Sequence, residues 1–276
     1  MKNTNNHKNY TQIKILFFAV KAKSCNFVLN SKKMLPILKK EITLFFSSLT
    51  GYISVLVFLF LTAWFMWISP GELNIINSGY ANIDTLFIIA PWIFLFLVPA
   101  TTMRSFAEEK KMGTIEILFT KPISELSLIT AKFLAAVILV LLSILPCLLY
   151  FVTVYQLGNP VGNIDVGGVW GSFIGLFFLA SCYAAIGVFA SSLSDNQIFA
   201  FILAAALCFF MYIGIAEMAS IKLFSFMNTF LLSVSINEHY QSLSRGVVDS
   251  RDILYFISVI TIFILFTRLK LQSRKW

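Results

Sequence analysis

Long apolar stretches separated by short polar segments dominate this chain. Five uncharged runs are each long enough for a helix of about 20 residues to cross about 30 Å of hydrocarbon. They are Ile42–Gly71, Thr85–Met103, Phe133–Ile164, Val166–Ser194 and Asn196–Ala216. A sixth run, Ile253–Thr267, is shorter, but Arg268 at its end can extend its charge to the membrane surface. The pattern predicts an all-α membrane protein with six transmembrane helices, at about 45–68, 85–103, 126–156, 169–192, 197–216 and 253–269.

The N-terminal segments differ sharply in pattern. Residues 1–33 are polar and rich in Asn and Lys, so we expect a disordered basic extension or an upstream start before Met34. Residues 34–276 are expected to form one six-span domain. Just before the first span, apolar residues recur every three or four positions, and Lys39–Glu41 take the other face. This spacing predicts an amphipathic helix on the inner membrane surface.

The segment between the fifth and sixth spans is mixed in character. Ser220–Ser235 is moderately apolar but contains Ser, Asn and Thr, which favours short re-entrant helices on the outer side. The polar stretch that follows predicts that Leu243 and Ser250 are accessible from outside.

Basic residues are distributed asymmetrically between the loops. With the N-terminus in the cytoplasm, 18 of the 21 Lys and Arg residues lie on the cytoplasmic side, which leaves Lys222, Arg245 and Arg251 outside. The positive-inside rule therefore predicts a multi-pass protein with both termini cytoplasmic. Charged residues make up only 12% of the chain, against about 25% in soluble domains. The net charge of +8 follows from this topology, and no nucleic-acid partner is expected.

The groups that membrane enzymes and ion-coupled carriers require are missing from the predicted spans. Their central regions contain no Asp, Glu, Lys, Arg or His, and the two His residues are His7 and His239, both outside the spans. The chain has no G-x-x-x-x-G-K-[ST] phosphate loop and no clustered Cys and His ligands. We therefore expect no enzymatic activity and no metal or cofactor bound by this chain.

Prolines and small residues mark two of the spans. Pro91 and Pro99 in the second span predict either a gating hinge or a static bend. The fourth span carries small residues at four-residue intervals, which let helices approach closely, within the chain or against a partner subunit. Its helix-packing candidates are Gly171, Gly175, Ala180, Ala184 and Gly187.

The loop between spans two and three is the largest inner feature besides the termini. Gly113 is a natural helix C-cap, Thr114 can cap a second short helix, Ile115–Phe119, and Pro122 turns the chain back toward the membrane. Half apolar and half charged, this loop suits docking to a soluble partner. A solvated connector fits the same pattern.

The same loop resembles the signature of the type 2 ABC exporter permeases. The similarity lies in the run Glu108–Leu118, then Thr120, Pro122–Ser124 and Lys132. In that family the loop is a coupling helix that engages a separate ATP-binding subunit. The resemblance implies this role for Arg104, Glu108, Glu109, Gly113, Thr114, Glu116, Leu118 and Pro122, and we expect the carboxylates of Glu108, Glu109 and Glu116 to face solvent.

Further expectations follow from the resemblance. It implies the type 2 ABC exporter permease fold and a membrane subunit of an ATP-driven exporter, in a bacterial inner membrane. ATP and Mg²⁺ would be bound by the partner ATPase. The other partners implied are a second permease chain, identical or different, an auxiliary membrane protein and the lipid bilayer.

A narrower resemblance covers the end of the chain. Ser235–Tyr240, Ser244–Asp252 and Ser273–Trp276 are similar to gliding-motility-associated ABC transporter permeases. The motif implied in the outer loop comprises Glu238, His239, Arg245, Gly246, Asp249, Arg251 and Asp252. A role in gliding or surface secretion would follow. The rival hypotheses are a non-transporting scaffold of such an assembly and a secondary carrier.

Overall fold

The computed structural model describes residues 34–120, 123–221, 226, 228–246 and 248–273, and every regular element in these ranges is helical. The first helices are α1 (residues 34–47), α2 (Leu49–Ala63), α3 (Ile75–Ser78), α4 (Asp84–Thr102), α5 (Arg104–Lys111), α6 (Thr114–Thr120) and α7 (Glu125–Ile144). The others are α8 (Leu148–Leu157), α9 (Val166–Leu193), α10 (Gln197–Phe209), α11 (Ile215–Ser220), α12 (Asn228–Val234), α13 (Ile236–Ser244) and α14 (Ser250–Gln272). π-helical turns, Trp64–Ile68 and Phe210–Gly214, follow α2 and α10.

Six helices are long and apolar enough to cross a membrane, which confirms the predicted number. They are Leu49–Ile68, Asp84–Lys111, Glu125–Leu157, Val166–Leu193, Gln197–Ser220 and Ser250–Gln272. The positions of these helices could be predicted from hydrophobicity because each one overlaps an uncharged apolar run of the sequence. The second differs most from expectation: it continues past Met103 into α5, so the charged loop begins as an extension of the span.

Helix α9 is the centre of the bundle. In its most apolar window 78% of residues are buried within the chain, against 22% for the first span. It packs against α4, α7, α10, α13 and α14. The small residues make this possible: a Cβ placed on Gly187 would lie 2.0 Å from Thr102 Oγ1 on α4, and Ala180 and Ala184 are fully buried. Both sides of these contacts belong to the same chain.

The prolines have different local effects. Helix α4 runs through Pro91 and Pro99 without a break, and it ends only at Met103. Pro146 lies in a single 3₁₀ turn, Leu145–Cys147, which joins α7 to α8 within the long third span. A proline cannot donate a backbone hydrogen bond, so a tighter turn at this point is expected.

At one end of the bundle the charged segments meet. Helix α1 is separated from α2 by an extended residue, Ser48, and it lies against α5 and α7. Leu271 near the end of α14 packs with Phe106 of α5 and Ile129 of α7. Both ends of the described chain therefore lie at this charged end.

At the opposite end α13 packs across the start of α9. Cβ atoms on Gly171 and Gly175 would lie 2.8 Å from Gly246 Cα and 2.9 Å from Leu243 Cβ, respectively. Leu243 is completely buried in this contact, so the expectation that it is accessible was wrong. The residues around it in sequence are polar, but they occupy the other face of a short helix.

Candidate functional site

The loop between spans two and three forms a bent pair of short helices, α5 and α6. Gly113 joins them with φ +68°, a left-handed conformation that favours glycine. The predicted division at Gly113 is therefore confirmed. Thr114 is the first residue of α6, and its hydroxyl donates to the backbone carbonyl of Glu109 at 3.3 Å, which links the two helices.

Four charged side chains meet beneath this pair, and we call them the four-charge cluster: Lys40, Glu41, Glu109 and Lys132. The ammonium of Lys132 lies 2.9 Å from Glu41 Oε1 and 3.0 Å from Glu109 Oε2. Lys40 completes the cluster at 3.1 Å from Glu109 Oε1. Two positive and two negative charges balance, so the cluster as a whole is neutral.

The cluster is deeply buried on three of its four members. The side chain of Lys132 is 1% exposed, that of Glu109 9% and that of Glu41 10%, whereas Lys40 is 50% exposed. Lys132 also donates to the backbone carbonyl of Ser105 and lies 5.0 Å from the centre of the Phe106 ring. A buried cation held by several partners is costly to expose or to unpair, so these contacts fix α1, α5 and α7 relative to one another.

Two sequence expectations are corrected by this cluster. Glu109 does not face solvent, and Glu41 does not lie on the outward polar face of α1. The sequence signal that could have located Glu109 is its position three residues after the apolar Phe106, which places both on one face of a helix. Lys132 and Glu109 were both recognised as part of the family motif, but the pairing of Lys132 with Glu109 and Glu41 was not predicted.

Helix α5 is also anchored to the end of α9. The Ser191 hydroxyl accepts from the backbone N–H groups of Phe106 and Ala107 at 2.9 and 3.1 Å, and it donates to the Met103 carbonyl at 2.8 Å. Lys110 donates to the Ser192 carbonyl and lies 3.9 Å from Asp195. The start of α5 is therefore held to the most buried helix of the bundle.

The remaining coupling-loop candidates differ in exposure. Arg104, Gly113 and Glu116 are exposed, Glu108 and Leu118 are half-buried, and Pro122 lies outside the described residues. Beside Glu116, Ile117 is 62% exposed and Met112 61%. A charged and apolar surface thus projects from a firmly anchored helix pair.

The outer-loop motif forms a second cluster at the opposite end. His239 Nδ1 lies 2.7 Å from Asp252 Oδ1, and Nε2 lies 3.0 Å from the carbonyl of Ser233. The imidazole stacks on Tyr255, with ring centres 3.9 Å apart, and the Tyr255 hydroxyl donates to the Val234 carbonyl. These contacts join α12 and α13 to the start of α14.

The other members of that motif lie around this cluster. Asp249 caps α14 by accepting from the Arg251 N–H at 3.0 Å, and Gly246 has φ +84° where it contacts α9. Glu238, Arg245 and Arg251 are exposed. Among the described residues no three His, Cys, Asp or Glu side chains are grouped so that they could hold a metal ion.

Comparison with known families places this architecture. The family described as ABC-2 family transporter protein matches residues 35–271, which include both clusters and all of the six spans except the last residue of the sixth. Comparison with curated proteins finds no match. Proteins of this family are the membrane subunits, not the ATPases, of ABC transporters. Six apolar helices, an anchored loop between the second and third spans and a family match over nearly the whole chain lead to one conclusion: the chain belongs to the ABC-2 transporter family.

Proposed function

We propose that this chain is the permease subunit of an exporter and that a separate ATPase docks on the surface formed by α5 and α6. The observation that carries the proposal is the combination of an exposed surface, around Glu116 and Ile117, with a rigid attachment to the bundle through Lys132. A partner that moves this helix pair also moves α1 and α7, because the four-charge cluster ties them together.

The docking surface can be tested by charge reversal. Glu116→Lys leaves the buried contacts intact but places a repulsive charge where the ATPase binds. Loss of a charge pair at a protein contact costs about 2–5 kcal/mol, so we expect capture of the cognate ATPase to fall at least about thirtyfold. Co-purification of the two subunits measures this. Glu72→Lys is the matched control, since Glu72 is exposed on the segment between α2 and α3, at the other end of the bundle.

The same variants decide between transport and a scaffold role. In vesicles that contain both subunits, wild type and Glu72→Lys should export substrate only when ATP is supplied, and Glu116→Lys should not. Normal ATPase capture by Glu116→Lys would make the loop a connector. Transport driven by an ion gradient without ATP would indicate a secondary carrier. If the two subunits assemble but no substrate is transported, the chain is a scaffold.

We also propose that the charged end faces the cytoplasm of a bacterial inner membrane. The concentration of Lys and Arg at that end supports this orientation. Of the four cysteines, Cys147, Cys182 and Cys208 are buried, so only Cys25 is replaced by Ser in the labelling background. In this background Glu238→Cys should react with an impermeant thiol reagent added from outside, because Glu238 is exposed at the opposite end. The control, Leu243→Cys, should remain unlabelled because Leu243 is buried. If Glu238→Cys is labelled only from the cytoplasmic side, the orientation in the membrane is the reverse of the one proposed.

A role in gliding or surface secretion is proposed from sequence similarity in the C-terminal segment. Its resemblance to gliding-motility-associated permeases supports export linked to gliding or surface secretion, with a second permease chain and an auxiliary membrane protein as partners. Deletion of the gene in its native host, followed by assays of gliding and of surface secretion, tests this role. Unchanged motility and secretion would contradict it.

A further inference from the structure

An apolar groove lies between α2 and α4, near the charged end of the bundle. Its volume is about 410 Å³, and its walls are almost entirely apolar side chains, among them Ile53, Val57, Leu61, Phe96 and Ala100. All of these belong to candidate membrane spans. The groove therefore opens to the hydrocarbon region of the bilayer.

A second cavity of about 400 Å³, which has charged residues in its lining, adjoins this groove. The four-charge cluster, Arg104 and Glu108 line it, together with serines at the end of α1. Phe45, Thr50 and Arg104 line both the groove and the cavity. The two therefore adjoin, with charged residues at one end and apolar walls at the other, which is the polarity of an amphiphile.

The length of the apolar part indicates which amphiphile fits. The groove follows α2 from Thr50 to Leu61, eleven helical steps or about 17 Å at ~1.5 Å per residue. Half of a hydrocarbon core of ~30 Å is about 15 Å. The groove thus matches the length of one acyl chain of one leaflet.

The charges at the junction point to the headgroup. Among the described residues the side chains of Arg104 and Glu108 have no hydrogen-bond or ion-pair partner, while the cluster charges are paired with each other. The two lie one turn apart on α5, so they face the same cavity. A guanidinium binds phosphate through two parallel hydrogen bonds, and a carboxylate binds an ammonium group.

We propose that this space is a binding site for one phospholipid with a primary-amine headgroup. The phosphate contacts Arg104, the amine contacts Glu108, and one acyl chain lies in the groove between α2 and α4. Arg104 and Glu108 then act as lipid ligands and not as contacts for the ATPase. This site does not depend on the proposed function, because its ligand comes from the membrane.

Native mass spectrometry of the purified chain, titrated with phosphatidylethanolamine or phosphatidylglycerol, tests the proposal. Wild type should retain one phosphatidylethanolamine per chain, with at least about a tenfold preference over phosphatidylglycerol, since bonds between charged groups are worth about 1.5–3 kcal/mol. Glu108→Gln should remove the preference, and Arg104→Gln should weaken retention of both lipids about tenfold or more.

Blocking the groove provides the second arm. Ala100→Trp fills the groove and should abolish retention, whereas Ile262→Trp, at an exposed apolar position on α14, should retain lipid as wild type does. Capture of the ATPase by Ala100→Trp should be unchanged, which separates this site from the docking surface.

Three results would overturn the proposal. They are the absence of retained lipid on wild type, equal retention by Ala100→Trp and Ile262→Trp, and equal binding of the two headgroups by wild type. If Ala100→Trp instead dissociates a dimer that carries no lipid, the groove is a subunit interface. Should Ala100→Trp fail to fold, the Arg104→Gln titration still decides the question.

Discussion

Glu109→Lys is expected to destabilise the folded chain by at least about 3 kcal/mol, because removing one partner of a buried ion pair costs about 3–5 kcal/mol and the new lysine also faces Lys132. The same reversal at Glu116 should change stability by no more than about 0.5 kcal/mol, since that side chain is exposed. Two carboxylates seven residues apart, both part of the family motif, therefore have opposite roles. One holds the helix pair in place, and the other is free to meet a partner.

Thermal unfolding in lipid nanodiscs measures this difference. The midpoint for Glu109→Lys should fall well below that of wild type, and that of Glu116→Lys should stay with it. The double variant Glu109→Lys with Lys132→Glu restores an attraction between positions 109 and 132 but places like charges beside Lys40 and Glu41, so it should recover little of the loss. A Glu109→Lys protein as stable as wild type would show that the four-charge cluster contributes nothing to the fold.

His239→Leu should destabilise the opposite end by about 2–3 kcal/mol. The imidazole contacts acceptors with both ring nitrogens, and its loss leaves the Asp252 carboxylate, only 9% exposed, without its partner. A buried charged acceptor left unsatisfied costs about 1–3 kcal/mol or more. The stacking contact with Tyr255 is lost as well.

Glu238→Leu is the matched control, because its side chain is the exposed neighbour of His239. Unfolding midpoints should separate the two leucine variants. The double variant His239→Leu with Asp252→Leu removes both polar partners, so it should be more stable than His239→Leu alone. If the two leucine variants unfold together, the contact between His239 and Asp252 does not stabilise α12 and α13 against α14.

The membrane spans could be predicted from sequence because each depends on its own composition. A run of apolar residues identifies a spanning helix whatever packs against it, and the division of the loop between spans two and three at Gly113 follows from one residue's backbone preference. The family motif added Lys132 to the picture. The spans and the division at Gly113 are local features, and the structure agrees with both.

The partners of buried charges lie far away along the chain, so they could not be predicted from the sequence. Lys132 pairs with Glu41, which lies 91 residues earlier on α1, and nothing in the pattern around either residue marks the other. The periodicity of α1 predicts that Lys39, Lys40 and Glu41 share one outward polar face. A carboxylate on an amphipathic helix can face the protein interior when it pairs with a buried cation from another helix. Helical periodicity alone does not identify such a pair. The same difficulty concealed Leu243, whose burial depends on the glycines of α9.

The members of the four-charge cluster lie far apart in sequence, so they are synthesised at different times. At a synthesis rate of about 5–20 residues per second, roughly 5–20 s separate the appearance of Glu41 at the ribosome from that of Lys132. During that interval the first two spans enter the bilayer while Glu41 has no lysine at position 132 to meet. Only insertion of the third span closes the cluster. Until then α1 lacks the contact with Lys132 that holds it against α7 in the finished structure.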